Sequence, residues 1–454
     1  MSSGLISNFK NIQEQNYKKE KNKFFKDSKN RVDSITGLYK NKSDLYGSDL
    51  YGTSSSYRMT PVDYSSIKKF DNYHYSNNNN DNYNYNYSQF SNSKNLSNSI
   101  NPYSKDISDK YYPSYRNESY NNDNNNRKLN SIITSIVGLT NLGNTCFMNT
   151  SLQLLIHSED FIQRLLGESI DPRYNPITSK FFDLCQEMSS TRGISSITPS
   201  EFKQKFGSKH SLFRGYGQND TQEFCRVLLE DMNSELNIIK HKPQYKELVT
   251  NGKDKQQCDR EFDKLFRSRE SSIVMDSFYG QIINIFTCAC DYQTYSFQKI
   301  LDLPLLIGDN NNIYDLLDEY FTDETIKFET KCENCRKKKK HKKETKFSQP
   351  PNILILSFQR INWRTKRKNS CSIRFSEELN IKKYIDEDCG HRKECLYTLY
   401  GIGNHSGTID FGHYYAYIKL NDKNWYEFND SRVRKIGYID TNSNTAYTLF
   451  YKKQ

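Results

Sequence analysis

Two segments in the middle of the chain carry apolar residues at helical spacing. FMNTSLQLLIHSEDFIQRLL, residues 147–166, repeats them every three or four positions. TQEFCRVLLEDMNSEL, residues 221–236, puts Phe224, Leu228 and Met232 on one face. An apolar stripe with a period of about 3.6 residues is typical of an amphipathic helix that packs on a core. We therefore predict one helix over each segment.

Beyond Ser277 the pattern changes to short apolar or alternating runs, which predict β-strands. Helices followed by strands indicate the α+β class. The predicted strand segments are GQIINIFTCAC, YSFQKILDLPLL, NILILSFQRI, YTLYGIGNHS, HYYAYIKL and AYTLFYKK, which start at residues 280, 295, 352, 397, 413 and 446.

The first 130 residues lack this patterning. They are dominated by Asn, Ser, Tyr, Lys and Asp, and they lower the hydrophobic content of the 454-residue chain to 35%. A segment with so little apolar surface cannot offset the entropy lost when it is ordered. We predict a disordered tail over residues 1–130 and a folded domain over residues 136–454.

Targeting signals and membrane spans are missing from the pattern. The first thirty residues contain no apolar run typical of a secretory signal, and no stretch approaches the ~18 apolar residues of a membrane span. Eleven cysteines without a secretory signal indicate a reducing compartment, where they serve as thiols or metal ligands. We expect a cytoplasmic or nuclear protein without a membrane partner.

The net charge of +11 comes largely from two runs, CRKKKKHKKETK at residues 335–346 and NWRTKRKNS at residues 362–370. Such runs fit either a nucleic-acid face or solvated loops, and we favour the second interpretation, without a nucleic-acid partner. The pattern does not indicate an oligomeric state.

The segment GLTNLGNTCFMNTSLQLL places one cysteine, Cys146, where a turn-rich stretch becomes a helix. With Thr145 or Asn144 as the helix cap, Cys146 lies in the first turn. The unpaired N–H groups and the helix dipole there favour a thiolate. Asn141 supplies a nearby amide donor for an oxyanion. The alternative is a buried structural cysteine, the more usual role of this residue.

A nucleophilic thiolate needs a base, and His413 is the best-placed histidine. It starts the alternating strand HYYAYIKL, so its ring projects from a rigid element. Asn429 and Asp430 follow in NDSRV, and either can orient the imidazole, as in a Cys–His–Asn/Asp triad. The nearest competitor is His405, in the turn-like segment GNHSGT.

Together these motifs resemble the ubiquitin-specific proteases, a papain-like family of deubiquitinating cysteine peptidases. GLTNLGNTCFMNTSLQLL resembles the family's cysteine box, and NHSGTIDFGHYYAYIKL with WYEFNDSRV resembles its histidine box. GYGQNDTQEF and QPPNILILSFQRI resemble two further family segments. The resemblance covers residues 136–454. It implies a helical thumb, a strand-rich palm and a β-finger inserted at about residues 277–350.

The resemblance implies Cys146 as nucleophile, His413 as base and then acid, and Asn429 as third member with help from Asp430. Asn141 falls at the oxyanion position. The implied reaction is hydrolysis of the bond after ubiquitin's C-terminal glycine, with ubiquitin and ubiquitinated proteins as partners and no catalytic cofactor. The alternative is a catalytically inactive ubiquitin-binding scaffold.

The resemblance also implies a channel for ubiquitin's arginine-containing tail. Gln218, Asp220 and Glu223 fall at positions that contact the tail, where carboxylates suit arginines. Gly412 and Tyr414 fall in the channel wall. For Asp220 and Glu223 the alternative is a capping box at the helix start, and both roles are compatible.

Four cysteines fall in the finger, where the family often binds structural zinc through two C-x-x-C pairs. Cys332 and Cys335 form one such pair, but Cys288 and Cys290 form a C-x-C. In a continuous strand, a one-residue shift turns Cys288 to the other face unless the backbone bulges. A structural zinc site and a metal-free finger both remain open.

Overall fold

The structure is a computed structural model that describes residues 122–190, 193–250, 253–308, 311–326, 329–362, 367–389, 393, 395–409 and 411–454. In these ranges the helices are α1 Asn122–Ile133, α2 Cys146–Ile156, α3 Glu159–Leu165, α4 Pro176–Ser190, α5 Ser200–Lys209, α6 Thr221–Glu235, α7 Lys255–Arg267, α8 Ile273–Phe278 and α9 Ile313–Tyr320, with 3₁₀ turns at Ser211–Phe213 and Lys382–Tyr384.

Most of the strands follow the helices, and this order confirms the predicted α+β class. They are β1 Gly138–Leu139, β2 Ser196–Ile197, β3 Gly280–Thr287, β4 Gln293–Ile300, β5 Leu303–Leu306, β6 Glu324–Thr325, β7 Thr330–Lys331, β8 Lys338–Lys339, β9 Lys342–Gln349, β10 Ile353–Gln359, β11 Ile361–Asn362, β12 Arg367–Lys368, β13 Ile373–Arg374, β14 Glu378–Asn380, β15 Leu396–Gly407, β16 Gly412–Lys419, β17 Trp425–Asn429, β18 Arg432–Ile436, β19 Asn442–Ser443 and β20 Ala446–Lys453. None of the described helices is long and apolar enough to cross a bilayer.

Helix α1 lies partly inside the tail predicted for residues 1–130. Its residues Leu129, Ile132 and Ile133 are buried in the main core. They are spaced three and four positions apart, which puts them on one helix face. The Asn-rich stretch before them obscured this short apolar stripe. The rest of the predicted tail, residues 1–121, lies outside the described residues.

Helix α2 is the central helix of the structure, and every residue in it is buried. The predicted single helix over residues 147–166 is wrong, because α2 ends at Ile156 and α3 begins at Glu159. Between them Ser158 adopts an extended backbone. Its hydroxyl is held by the carbonyl oxygen of Leu154 and by the Tyr400 hydroxyl, a tertiary contact that local patterning cannot indicate.

The palm is an eight-stranded sheet in the order β18-β17-β16-β15-β20-β10-β5, with β14 paired to β15. Neighbouring strands are antiparallel except β10 and β5. Helix α2 packs against β16 and against α6. This packing brings the first turn of α2 to the start of β16, where the two candidate catalytic side chains lie.

The finger is a separate four-stranded sheet in the order β4-β3-β9-β6, followed outward by the small hairpin β7–β8. These strands lie within the predicted insertion at residues 277–350. The basic runs predicted as loops contribute to strands: the first to β8 and the start of β9, and the second to β12, although Lys337–Lys340 are exposed. A second apolar core lies between α9 and the strands of the palm.

Candidate active site

Cys146 is the first residue of α2 and is only 2% exposed. The prediction that a Thr145 or Asn144 side chain caps this helix is wrong. Asn144 adopts a left-handed backbone with φ of 54°, and its amide donates to the carbonyl oxygen of Tyr216 over 2.8 Å. The Thr145 hydroxyl instead accepts a hydrogen bond from the N–H of Leu142 at 2.8 Å.

Asn141 organises the loop in front of Cys146. Its Oδ1 accepts hydrogen bonds from the N–H groups of Gly143 and Thr145, over 2.9 and 3.1 Å. This leaves the Asn141 Nδ2 group facing outward, with one hydrogen used on Asp430 and a second hydrogen to donate. The N–H of Cys146 lies in the first helical turn, where the helix provides no acceptor. The loop and the helix start therefore each offer one donor, Asn141 Nδ2 and the N–H of Cys146.

His413 is the second residue of β16, and its ring is held on two sides. Nε2 lies 2.7 Å from Oδ1 of Asn429, an acceptor, so this nitrogen carries a hydrogen. The other ring nitrogen is then the one that hydrogen-bonds the Cys146 thiol. The bond to Cys146, the bond to Asn429 and the charge of Asp430 outweigh desolvation and raise the pKa of His413 to about 9.

The alternation predicted for β16 is confirmed by its burial. Tyr414, Ala416 and Ile418 are buried on one face. On the other face the rings of His413 and Tyr415 stack with centroids 6.4 Å apart. The ring of His413 thus emerges from a packed strand at a fixed position.

Asp430 does not serve as the ring partner that the sequence left open. Its Oδ2 accepts from Asn141 Nδ2 at 2.9 Å, and its Oδ1 accepts from Asn149 Nδ2 at 2.8 Å. Its carbonyl oxygen also accepts from the N–H of Leu139 at 2.9 Å. Asp430 therefore ties the loop before Cys146 to the strand turn after Asn429.

Sequence reasoning did not single out Asn149. It is 2% exposed and lies on α2 one turn after Cys146, on a helix whose other positions are largely apolar. A buried amide on such a helix needs a polar partner, so an asparagine at this position of the sequence could have indicated a tertiary hydrogen bond. One of its partners, the carbonyl oxygen of Leu139, lies nearby in the sequence, whereas the other, Asp430, lies far along the chain.

His405, the competing histidine, lies within β15 and not in a turn as expected. It is 3% exposed, and its ring lies against Tyr414 with centroids 4.5 Å apart. Burial, followed by the charges of Lys368 and Arg360, lowers its pKa to about 4. A neutral, enclosed ring of this kind lacks the access to substrate that a general base requires.

The residues predicted to contact the substrate tail fall into exposed and buried groups. Gln218 is exposed, and its amide donates to Oδ1 of Asn144 at 3.1 Å. Asp220 is 8% exposed: it caps α6 through the N–H groups of Gln222 and Glu223, and it accepts from the Tyr447 hydroxyl. The capping role predicted for Asp220 is thus present.

Glu223 is half-buried in the first turn of α6. Gly412 must be glycine, because a Cβ there would lie 2.0 Å from Nε2 of His405. Tyr414 is 3% exposed, which places its ring beneath the surface of the predicted channel wall. Tyr414 therefore supports the wall from below in this arrangement.

The four finger cysteines converge, with all four sulfurs within 4.8 Å of one another. The sulfurs of Cys288 and Cys335 are 4.0 Å apart, and those of Cys290 and Cys332 are 3.6 Å apart. Four sulfurs held 2.3 Å from a tetrahedral zinc ion stand about 3.8 Å apart. The cluster fits a structural zinc site.

The C-x-C spacing does not turn Cys288 away, because β3 ends at Thr287. The pair lies in a tight turn in which the N–H of Asp291 donates to the carbonyl oxygen of Cys288 at 2.9 Å, and Asp291 has a φ of 65°. Strand alternation therefore does not apply to these two cysteines.

A buried thiol, an imidazole hydrogen-bonded to it and an amide hydrogen-bonded to the imidazole form a catalytic triad for acyl transfer to sulfur. A sequence profile of the family described as "Ubiquitin carboxyl-terminal hydrolase" matches residues 137–451, most of the chain. The chain belongs to this family. The membership confirms the resemblance to the ubiquitin-specific proteases, the papain-like fold and the enzyme class, a cysteine-type deubiquitinase.

Curated relatives agree with this membership. Ubiquitin carboxyl-terminal hydrolase 2 of Gallus gallus is 30% identical over 72% of this chain and 95% of its own length. The Homo sapiens protein of the same name is 30% identical over 70% of this chain, and the chain spans 55% of its length. Ubiquitin carboxyl-terminal hydrolase 21 of Homo sapiens is 28% identical, with 70% and 61% covered.

Solved structures agree on the fold. The SAGA Ubp8/Sgf11/Sus1/Sgf73 DUB module bound to ubiquitin aldehyde superposes with a TM-score of 0.57 and 24% identity, over 71% of this chain and 70% of that one. The same module bound to monoubiquitin gives a TM-score of 0.57 and 23% identity, over 72% and 70%.

Proposed function

We propose that the chain hydrolyses the bond after ubiquitin's C-terminal glycine through a Cys146 acyl-enzyme. The observation that carries this proposal is the hydrogen-bonded series from Cys146 through His413 to Asn429. The raised pKa of His413 favours an imidazolium beside the Cys146 sulfur. This pair provides both the nucleophile and the acid that a leaving amine requires.

In the first half of the reaction, the Cys146 sulfur bonds to the carbonyl carbon of ubiquitin's terminal glycine. The electron pair of the C=O bond moves to oxygen, and the oxyanion accepts hydrogen bonds from Asn141 Nδ2 and the N–H of Cys146. Such donors each contribute about 10²–10³-fold in rate. His413 gives its proton to the lysine amine, the C–N bond breaks, and a thioester remains.

In the second half, neutral His413 takes a proton from water, whose oxygen bonds to the thioester carbon. The same two donors hold the second oxyanion. The C–S bond then breaks, and ubiquitin leaves with a free carboxylate while Cys146 returns to thiolate. Asn429 keeps the ring oriented through both halves because its carbonyl oxygen accepts only from Nε2–H.

Asp430 contributes by position and not by contact with the reacting atoms. It accepts one hydrogen from Asn141 Nδ2, so the second hydrogen of that amide is left for the oxyanion. Its other oxygen holds Asn149 on the helix that starts at Cys146. Nucleophile, oxyanion donor and base therefore share one anchor.

For the ubiquitin tail, the half-buried carboxylate of Glu223 in the first turn of α6 suits a tail arginine. Asp220 is engaged with its own helix and with Tyr447, so it shapes the channel wall. Gln218 lies beside the loop of Asn144, at the oxyanion side.

Zinc has no part in these steps. Cys288, Cys290, Cys332 and Cys335 would hold it in the finger, where it would tie the turn after β3 to the turn after β7.

Hydrolysis of ubiquitin that carries a fluorogenic amide at its C-terminus tests this proposal. Wild type should release the fluorophore, and Cys146→Ala should lose at least about 10³-fold in rate. Cys371→Ala, which changes an exposed cysteine, should match wild type. If wild type binds ubiquitin yet releases no fluorophore, the inactive scaffold is the correct interpretation.

A further inference from the structure

A half-buried lysine that the chemistry above does not use holds the hairpin of the catalytic histidine. Nζ of Lys368, in β12, donates to the carbonyl oxygens of His405 at 2.8 Å and Gly407 at 3.1 Å. These two residues end β15, and Gly407 pairs with Gly412, the residue before His413. The ammonium group therefore fixes the strand end from which the chain turns into His413.

The turn itself leaves little room for adjustment. Gly407 has a φ of 91°, and a Cβ on it would lie 2.4 Å from the carbonyl oxygen of Phe411. Across the hairpin, a Cβ on Gly412 would clash with the ring of His405. Lys368 reaches this turn from a different sheet, the β11–β12 pair. If this contact were displaced, the backbone from which the His413 ring projects would move with it.

Lys368 lies next to a second cation, Arg360, and no carboxylate pairs with either one in the described ranges. Arg360 is 1% exposed, and within the described ranges its guanidinium donates only to backbone carbonyl oxygens, among them those of Ala446 at 2.6 Å and Cys371 at 2.8 Å. Burial and the charge of Arg360 lower the pKa of Lys368 to about 8. Two neighbouring cations whose described partners are all neutral carbonyl oxygens carry a desolvation cost, which indicates a use for the charge.

That charge acts on His405, which is packed against aromatic rings. Among the described residues, Lys368, Arg360 and His413 are the charged groups that act on it, and Tyr414 and Tyr447 are neighbouring rings. Nδ1 of His405 is buried without a hydrogen-bond partner among the described residues. A protonated His405 would place a buried N–H without an acceptor beside two cations.

We propose that Lys368 is a positioning residue for His413: it locks the β15–β16 turn and keeps the proton of the two neighbouring histidines on His413. The proposal deepens the proposed function and rests on the assigned role of His413. It concerns the placement and charge of the base, and Lys368 does not touch the substrate.

The test uses Lys368→Met, which keeps the apolar stem and removes the donor, and Lys368→Arg, which keeps the charge. The matched control is Lys419→Met at the far end of β16, where Nζ pairs with Glu377 at 2.7 Å. We expect Lys368→Met to lower kcat at least about 10-fold with KM within about 3-fold, as for a misplaced catalytic group. Lys368→Arg should recover most of the loss, and Lys419→Met should match wild type.

A second readout follows the imidazole protons of His405 and His413 by NMR from about pH 5 to 9. Removal of the Lys368 charge favours a protonated His405, so in Lys368→Met its resonance should titrate at higher pH than in wild type. The activity of this variant should correspondingly fall more steeply as pH drops below neutral. Lys368→Gln, which keeps a donor, replaces Lys368→Met if the latter fails to fold.

Unchanged kcat and unchanged titrations in Lys368→Met would overturn the proposal. So would an equal loss in Lys368→Met and Lys419→Met that follows the loss of folded protein. A wild type that fails to cleave ubiquitin would overturn the proposed function instead, and the NMR titration would still decide the role of Lys368.

Discussion

At the scale of single residues, a hydrogen bond to the His413 ring distinguishes Asn429 from Asp430, which were equivalent candidates in the sequence. Asn429 bonds the His413 ring, whereas Asp430 bonds Asn141 and Asn149. Strand β17 ends at Asn429, and Asp430 begins the following turn with a left-handed backbone of φ 50°, so the two side chains leave the chain in different directions and only Asn429 meets the imidazole. The two residues therefore have distinct roles, and their variants should fail differently.

Asn429→Ala should lower kcat about 10–100-fold, because the ring loses the acceptor that fixes its orientation. The pKa of His413 should fall in this variant, since the bond to Asn429 helps to raise it. Asp430→Ala should instead destabilise the loop of Asn141, with a loss of folded stability. Steady-state kinetics, imidazole NMR and urea denaturation distinguish the two; identical behaviour in all three would contradict the division of roles.

The raised pKa of His413 also predicts how stability depends on pH. Its pKa rises to about 9 from an ordinary value near 6.5, so the folded chain holds a proton that the unfolded chain releases in this window. The stabilising contribution is complete below about pH 6.5 and is lost as pH rises through about 9. Solvent reduces its size because the ring is half-buried.

Urea denaturation of wild type and His413→Gln at several pH values checks this. The difference in the free energy of unfolding between the two proteins should shrink as pH rises across the window. A difference that stays constant would show that His413 is not protonated in the folded chain at neutral pH.

At the scale of elements, the finger depends on four side chains from two turns. The turn after β3 supplies Cys288 and Cys290, and the turn after β7 supplies Cys332 and Cys335. In the part of the chain that the structure describes, no long apolar stretch covers this end of the finger. The hairpin β7–β8 has only two residues in each strand, which is too short for stability on its own.

We therefore expect purified protein to carry about one zinc ion per chain, as in tetrahedral cysteine sites. Cys335→Ala should lose the zinc and lower the melting temperature, and Cys371→Ala should do neither. Elemental analysis and thermal denaturation measure both effects. A zinc-free wild type with undiminished stability, after growth with zinc, would establish the metal-free finger.

At the scale of the whole molecule, helix α1 determines where the folded domain begins. Ile132 is fully buried against the core, although it lies before the predicted start of the domain at residue 136. Ile132→Ala should cost about 2–5 kcal/mol of unfolding free energy. Asn130→Ala, on the exposed face of the same helix, is the control in chemical denaturation. Equal stability of both variants would mean that α1 does not belong to the core.

Also at this scale, motifs were predictable from sequence where a local pattern carries the chemistry. Cys146 at a helix start and His413 at a strand start are such cases, and so are the helix at Thr221 and the palm strands. What could not be predicted depends on partners far along the chain. The bond from Asn149 to Asp430, the break of α2 at Ser158 and the contact of Lys368 with β15 all follow from packing.

The central claim is that Cys146 forms the covalent intermediate with ubiquitin. Its most direct test is the reaction of the full chain with ubiquitin that carries a C-terminal electrophile, followed by proteolysis and peptide mass spectrometry. The account predicts a single adduct on the peptide that contains Cys146, absent from Cys146→Ala and strongly slowed in His413→Ala. An adduct on any of the other cysteines, or none on folded wild-type protein, would contradict it.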